Sequence, residues 1–153
     1  MAQHAEDSDS CFLYLNQVRL KIGIVFGDPR TTPGGKAMEF YATARMALGR
    51  EKIYIGSGPS KEFVGQKINI EVTKSKLTKP FKKAALRMMY DEMDVARFDF
   101  PYSLLEFLVE KGLVSYSAPY ITWTDGKKYH VKALAAKINE DGSYAELLAL
   151  MPK

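Results

Sequence analysis

Apolar and polar positions in this chain follow two periods, and the switches between them mark its elements. Residues 12–15, FLYL, form a continuous apolar run, the pattern of a strand buried on both faces. The run ends in the polar pair Asn16-Gln17. From Val18 to Phe26 the chain alternates, with Val18, Leu20, Ile22, Ile24 and Phe26 apolar and Arg19, Lys21 and Gly23 between them. That predicts a hairpin or an extended ribbon with one basic face. Asp28-Pro29 and Pro33-Gly34-Gly35 are turn signals. Residues 36–43 predict a helix with Met38, Tyr41 and Ala42 on its apolar side.

Residues 45–55 predict a strand, and the Gly-Ser-Gly-Pro-Ser run at 56–60 a surface turn. Residues 64–73 alternate, with Ile68, Ile70 and Val72 opposite Lys67, Asn69 and Glu71. Residues 81–90 set Leu86, Met88 and Tyr90 against Lys83, Ala85 and Arg87. The acidic stretch 91–99 reads as a linker. Pro101 suits the first turn of a helix whose stripe is Leu104, Leu105, Leu108 and Val109, with Gly112 as its stop. Residues 120–131 predict a hairpin with a two-residue Asp125-Gly126 turn. Short helices at 132–139 and 143–151 follow, split at Asp141-Gly142.

These elements divide the chain into a flexible acidic leader at 1–10, an α/β portion at 11–92 and a small α+β domain at 93–153. Hydrophobic residues make up 46% of the chain, enough for a proper core. The net charge of +4 fits a polyanionic partner. Cys11 is the single cysteine, so no internal disulfide can form; it reads as a small buried hydrophobe in a cytoplasmic protein. His4 and His130 stand apart, and no cluster has metal-ligand spacing. No apolar run approaches the ~20 residues of a membrane span.

Two local features carry candidate chemistry. Lys74, Lys76, Lys79, Lys82, Lys83 and Arg87 follow one another with no acidic residue between them. Such a run can be a lysine-protected sheet edge or an anion-binding surface. The loop after Gln17 combines Arg19, Lys21, Arg30 and Lys36 with Gly23, Gly27, Gly34 and Gly35. A phosphate loop is missing from this sequence. Around Gly35-Lys36 its spacing would need glycine at 30 and Ser or Thr at 37, where Arg30 and Ala37 stand. No apolar strand ends in a magnesium-holding Asp, and no Ser/His/Asp or Cys/His set is evident.

The string NQVRLKIGIVFGDPRTTPGGKAMEFYA, residues 16–42, resembles the bacterial and phage RecA recombinases. The resemblance is dense over 16–45, good over 64–90 and looser beyond. It implies the second half of the family's ATPase core, a mixed β-sheet with helices, at 11–92 and its small C-terminal domain at 93–153. The Walker A half would then lie outside this chain, as in a split or truncated gene. The function implied is single-stranded DNA binding in an ATP-dependent filament, for homologous recombination and repair. Its partners would be single-stranded DNA and other RecA-like subunits or the missing N-terminal half, without a membrane. ATP and Mg2+ would serve the complete recombinase; this chain alone would bind neither and would not hydrolyse ATP. The alternatives are a stand-alone single-strand-binding or filament-modulating module and a non-functional truncated fragment.

Residue by residue, the resemblance implies that Gln17 senses the nucleotide's γ-phosphate and that Tyr90 packs on adenine. Arg19, Lys21, Gly34, Gly35 and Lys36 match the DNA-binding loop, where cations and open backbone amides meet phosphates. Leu20 and Ile22 match positions that contact stretched bases; ordinary strand burial is their other reading. Lys74 and Lys76 match a pair that acts in trans on a neighbour's ATP, much as an arginine finger does. Their spacing of two predicts one strand face for both. Phe40 matches a subunit-interface position. The chain departs from the family's usual pattern at Glu39, at Asn69 and Glu71, and at Asp91-Glu92-Met93, where Gly-Glu-Gly is common.

Overall fold

A computed structural model of the chain describes residues 7–23, 25–27, 29–34 and 37–152. Gly35 and Lys36 of the expected DNA loop lie outside the described residues, as does most of the leader. The described residues form a mixed α and β chain with antiparallel sheets and, among those residues, four α-helices of five residues or more. Strands β1 (Arg19–Leu20) and β2 (Arg30–Thr31) pair as a two-stranded arm. Helix α1 (Ala37–Tyr41) follows, within the predicted segment. Strands β3 (Ala44–Ile55), β4 (Glu62–Ser75), β5 (Lys83–Tyr90) and β6 (Ala96–Asp99) form a four-stranded meander.

The alternation of β4 explains that sheet. Ile68 and Ile70 sit opposite Arg50 and Leu48 on one side and Leu86 and Ala84 on the other. They share an apolar face with Met46, Val72, Met88 and Phe98. The opposite face carries Lys67, Asn69, Glu71 and Arg87. Gly65 lets β4 and β5 approach: a Cβ there would lie 2.4 Å from the carbonyl oxygen of Met88.

Helix α2 (Phe100–Glu110) lies on the polar face. Lys67 pairs with Glu106 at 3.3 Å, and the Arg87 amide donates to Ser103 Oγ at 2.8 Å. The Arg87 guanidinium lies 3.9 Å from the Tyr102 ring centroid. Asp99 caps the helix by accepting from the Tyr102 amide, and Pro101 occupies its first turn.

The other side of α2 enters the core. Leu105, Leu108, Ile121, Leu134 and Leu147 are fully or almost fully buried there, with Trp123, Val131, Ala135 and Ile138 around them. They come from α2, α3 (Val131–Asp141), α4 (Tyr144–Ala149) and the sheet of β7 (Ser115–Ser117), β8 (Tyr120–Thr122) and β9 (Lys128–His130). The Trp123 indole N–H donates to Glu146 at 3.0 Å, so its burial leaves no orphan donor. His130 Nδ1 accepts from the Lys132 amide and caps α3, whose C-terminal end turns on Gly142 at φ 71°.

Four expectations are corrected. Residues 12–15 form no strand: Phe12, Leu13, Tyr14 and Leu15 are 53–89% exposed. An apolar run becomes a buried strand only if other elements cover both its faces. Cys11, beside it, is exposed for the same reason. The acidic linker is instead a turn and a strand. The Asp91 carboxylate accepts from the Met93 and Val95 amides and from Arg97 Nε, folding β6 back onto β5. The hairpin at 120–131 has a three-residue loop: the Gly126 amide bonds the Trp123 carbonyl, and Gly126 has φ 77°.

Candidate nucleic-acid and nucleotide interface

Among the described residues the arm is built on a two-residue ladder. Arg19 faces Thr31 and Leu20 faces Arg30, and the Lys21 amide donates to the Pro29 carbonyl at 2.9 Å. At its base the Asn16 side-chain amide donates to the Pro33 carbonyl at 3.0 Å. The Asn16 carbonyl oxygen accepts from the Gln17 amide at 2.9 Å. Gly34 (φ 96°) makes the return at the base, where a left-handed residue is needed.

The arm exposes what a folded strand would hide. Leu20 is 69% exposed and Ile22 102%, so strand burial is not their role within the described residues. Arg19, Lys21 and Arg30 share the same exposed ribbon. Gln17 sits at its foot, also exposed.

Lys74 is held in place. Its ammonium donates to the carbonyls of Glu39 at 2.5 Å and Phe40 at 2.8 Å, at the C-terminal end of α1. A cation there satisfies carbonyls that the helix leaves open and complements the negative end of its dipole. Arg45 reaches the Glu39 carboxylate at 3.5 Å from the paired strand. Phe40 itself is 70% exposed. Lys76 differs from its expected placement. Strand β4 ends at Ser75, and Lys76 is an exposed turn residue whose amide bonds the Thr43 carbonyl. The two lysines therefore do not share a strand face, because the ladder shifts register between Arg45 and Met46 and then stops.

Tyr90 lies at the other end of the sheet. Its ring centroid is 5.5 Å from that of Phe63, near the start of β4. Lys74 is close to the end of the same strand, roughly 35 Å away at about 3.3 Å per residue. A single mononucleotide cannot touch both. The structure thus brings Lys74, Phe40, Glu39 and Arg45 together and keeps Tyr90 apart from them.

Sequence reasoning passed over the residues around Tyr90. Tyr54, Phe63, Lys52 and Lys61 gather there, and their only signal was aromatics at both ends of a predicted turn. It also missed a cleft of about 530 Å3 between the arm and the sheet, bounded by Val18, Arg30, Lys67, Lys83 and Glu110. Its charges are balanced: Lys83 pairs with Glu71 at 3.9 Å and Asn69 with Glu51 at 2.6 Å. Asn69 and Glu71 therefore offer no excess positive charge on that face. Among the described residues no group of His, Cys, Asp and Glu could hold a metal, and no helix is long and apolar enough to cross a membrane.

A family profile for the RecA N-terminal domain matches residues 1–94. Protein RecA of Lactococcus lactis subsp. cremoris (strain MG1363) is 36% identical over 128 residues, 83% of this chain and 32% of that protein. Protein RecA of Borrelia duttonii (strain Ly) is 36% identical over 118 residues, 77% of this chain and 31% of that protein. Protein RecA of Borreliella burgdorferi (strain ZS7) is 30% identical over 120 residues, 78% and 32% of the two chains. The chain spans about a third of the length of the curated relatives it matches. It belongs to the RecA family.

Proposed function

We propose that this chain is the segment of a RecA-like recombinase that grips single-stranded DNA within an ATP-dependent filament, for homologous pairing and repair. The observation that carries this reading is the arm, which presents Leu20 and Ile22 to solvent in alternation with Arg19 and Lys21. Apolar side chains on a basic ribbon suit unstacked bases and their phosphates, and the contact is tolerant of sequence. Gly34, Gly35 and Lys36 complete the loop in this reading.

The ATP that drives the filament is bound mainly by parts of a recombinase that this sequence lacks, since it has no phosphate loop. Alone, the chain does not hydrolyse ATP. Tyr90 and Gln17 face a nucleotide held with the rest of the core. Lys74 and Lys76 serve the nucleotide of a neighbouring subunit and offset charge on its γ-phosphate. The separation of Tyr90 from Lys74 supports two different nucleotides. Phe40, exposed beside Lys74, lies in the subunit interface. Residues 12–15 and the apolar sheet face at Met46 and Leu48 are the surfaces that the remaining core, or a second subunit, covers. Asn69 and Glu71 make capture of a second duplex weak.

The test mixes the chain with a polypeptide that supplies the phosphate-loop half of a RecA core and follows labelled oligo-dT by fluorescence anisotropy. An ATP-dependent rise is expected, reduced by Lys74→Ala and Lys76→Ala. No rise with ATP contradicts the recombinase reading. A rise with the chain alone, indifferent to ATP, favours a stand-alone single-strand-binding module.

A further inference from the structure

The two turns that flank β5 lie at opposite ends of the sheet and carry opposite charge. The tip between β4 and β5, residues 76–82, is tied down by its own bonds. Ser75 Oγ accepts from the Leu77 and Thr78 amides at 3.2 and 3.0 Å. The Phe81 amide donates to the Val72 carbonyl, and the Val72 amide donates to the Lys82 carbonyl. Those bonds hold Phe81 at φ 65°. Its ring is 71% exposed, and Leu77 is 80% exposed. Lys79 and Lys82 are exposed on the same tip.

The turn between β5 and β6 is also fixed. The Asp91 carboxylate accepts from the Met93 and Val95 amides, and the Asp91 amide donates to the Val95 carbonyl. Glu92 and Asp94 are exposed there, with Met93 at 78% and Val95 at 45%. The ion pairs among the described residues include none of Lys79, Lys82, Glu92 and Asp94. Met93 stands where the family usually has glycine, so this apolar knob belongs to this chain. Strand β5 has eight residues, which puts roughly 26 Å between tip and turn at about 3.3 Å per residue. Its pairing to β4 and β6 keeps that span straight, so a copy cannot bring its own tip onto its own turn.

We infer that the β4–β5 tip of one copy of this chain seats on the β5–β6 turn of the next copy. Each surface combines two charges with two exposed apolar side chains, and the signs are opposite. Lys79 and Lys82 with Leu77 and Phe81 meet Glu92 and Asp94 with Met93 and Val95. The charges orient the contact, and the apolar side chains supply the burial. A nucleic acid would account for the tip but leave the acidic turn unexplained. The two surfaces differ, so the contact is heterologous, and each added copy offers a fresh tip or a fresh turn. Copies therefore assemble end to end in an open series. The inference rests on the filament reading above and deepens it by naming the surfaces through which neighbouring subunits meet.

The test follows the mass of the full chain against concentration by analytical ultracentrifugation at low salt, without DNA or nucleotide. Lys79→Glu with Lys82→Glu changes the tip alone. Glu92→Lys with Asp94→Asn changes the turn alone, and asparagine suits the φ of 58° at that position. Each variant by itself is expected to associate about tenfold more weakly than wild type. Mixing the two variants is expected to restore association, because the reversed tip then meets the reversed turn. Trp123 fluorescence in denaturant checks that the core of each variant is intact. A wild-type chain that stays monomeric at every concentration overturns the inference. So do variants that associate like wild type, or a mixture no better than either variant alone. A tip variant that loses oligo-dT binding but keeps its self-association assigns the tip to nucleic acid and also overturns it. The recombinase reading is judged separately, by the ATP-dependent anisotropy of the chain with the phosphate-loop half. That rise can fail while end-to-end association holds, and it can persist where association is absent.

Discussion

Leu105 and Ile22 are both aliphatic residues in apolar-periodic stretches, and the fold treats them oppositely. Leu105 has no accessible surface, whereas Ile22 is as exposed as in an extended chain. Leu105 sits in a helix with partners on α3, α4 and β8, so its side chain leaves water entirely. Ile22 sits on an arm that holds itself by a two-residue ladder and a few backbone bonds. The region at 101–151 uses apolar residues to fold. The arm leaves them exposed, and in the proposed function they meet the bases of a bound strand while the interleaved basic residues meet its phosphates.

That contrast breaks most visibly in stability. Leu105→Ala or Leu134→Ala is expected to cost about 2–5 kcal/mol, because each removes a fully buried side chain from the core and leaves a cavity. Ile22→Ala is expected to stay within about 0.5 kcal/mol of wild type. Trp123, the single tryptophan, borders the core and reports both by its fluorescence in denaturant. Equal losses at Leu105 and Ile22 would mean that the arm is packed.

Binding sharpens the contrast next. Leu20→Ala with Ile22→Ala is expected to weaken oligo-dT binding roughly tenfold, about 1.4 kcal/mol. The salt dependence should not change, because no charge is removed. A smaller effect is expected at Lys74→Met, about 1 kcal/mol after screening of a half-exposed group. It removes the ammonium from the Glu39 and Phe40 carbonyls, and faster amide exchange in α1 is the readout. Unchanged exchange there would mean that Lys74 does not hold the helix.

The smallest effect concerns pH. Asp91 is held below the usual carboxylate range, first by the Arg97 guanidinium and then by the Val95 and Met93 amides. Its folded form therefore takes up a proton less readily than the unfolded chain. The stability it contributes is present above the unfolded value of about 3.9 and is lost as pH falls through the lower folded value. Carbon NMR titration of Asp91 should give a midpoint below that reference in wild type, returning toward it in Arg97→Ala. An unshifted midpoint would remove the Asp91 turn as the anchor of β6.

Much of the fold was legible because alternation survives folding. The two faces of β4, the stripe and stop of α2 and the Gly142 break between helices all follow their sequence pattern. What failed depended on neighbours or on one side chain. The run at 12–15 reads as a buried strand, but burial belongs to what covers it. The stretch 91–99 reads as linker by composition, whereas one carboxylate accepting three bonds folds it into a hairpin. Strand β7 is three residues with a polar flank and gave no periodic signal. At the candidate site, alternation in the arm allowed either a buried strand or an exposed ribbon, and only exposure separates them. The cluster at Tyr54, Phe63 and Tyr90 depends on a register shift that no local pattern encodes.

The most direct test of the arm as a grip for single strands is the salt dependence of oligo-dT binding. The log–log slope of affinity against salt is compared between wild type and Arg19→Ala with Lys21→Ala. The slope should flatten by about 0.7 for each phosphate contact removed, about 1.4 for the pair, while core stability read at Trp123 stays unchanged. An identical slope in the two proteins would take the arm out of the DNA-binding site.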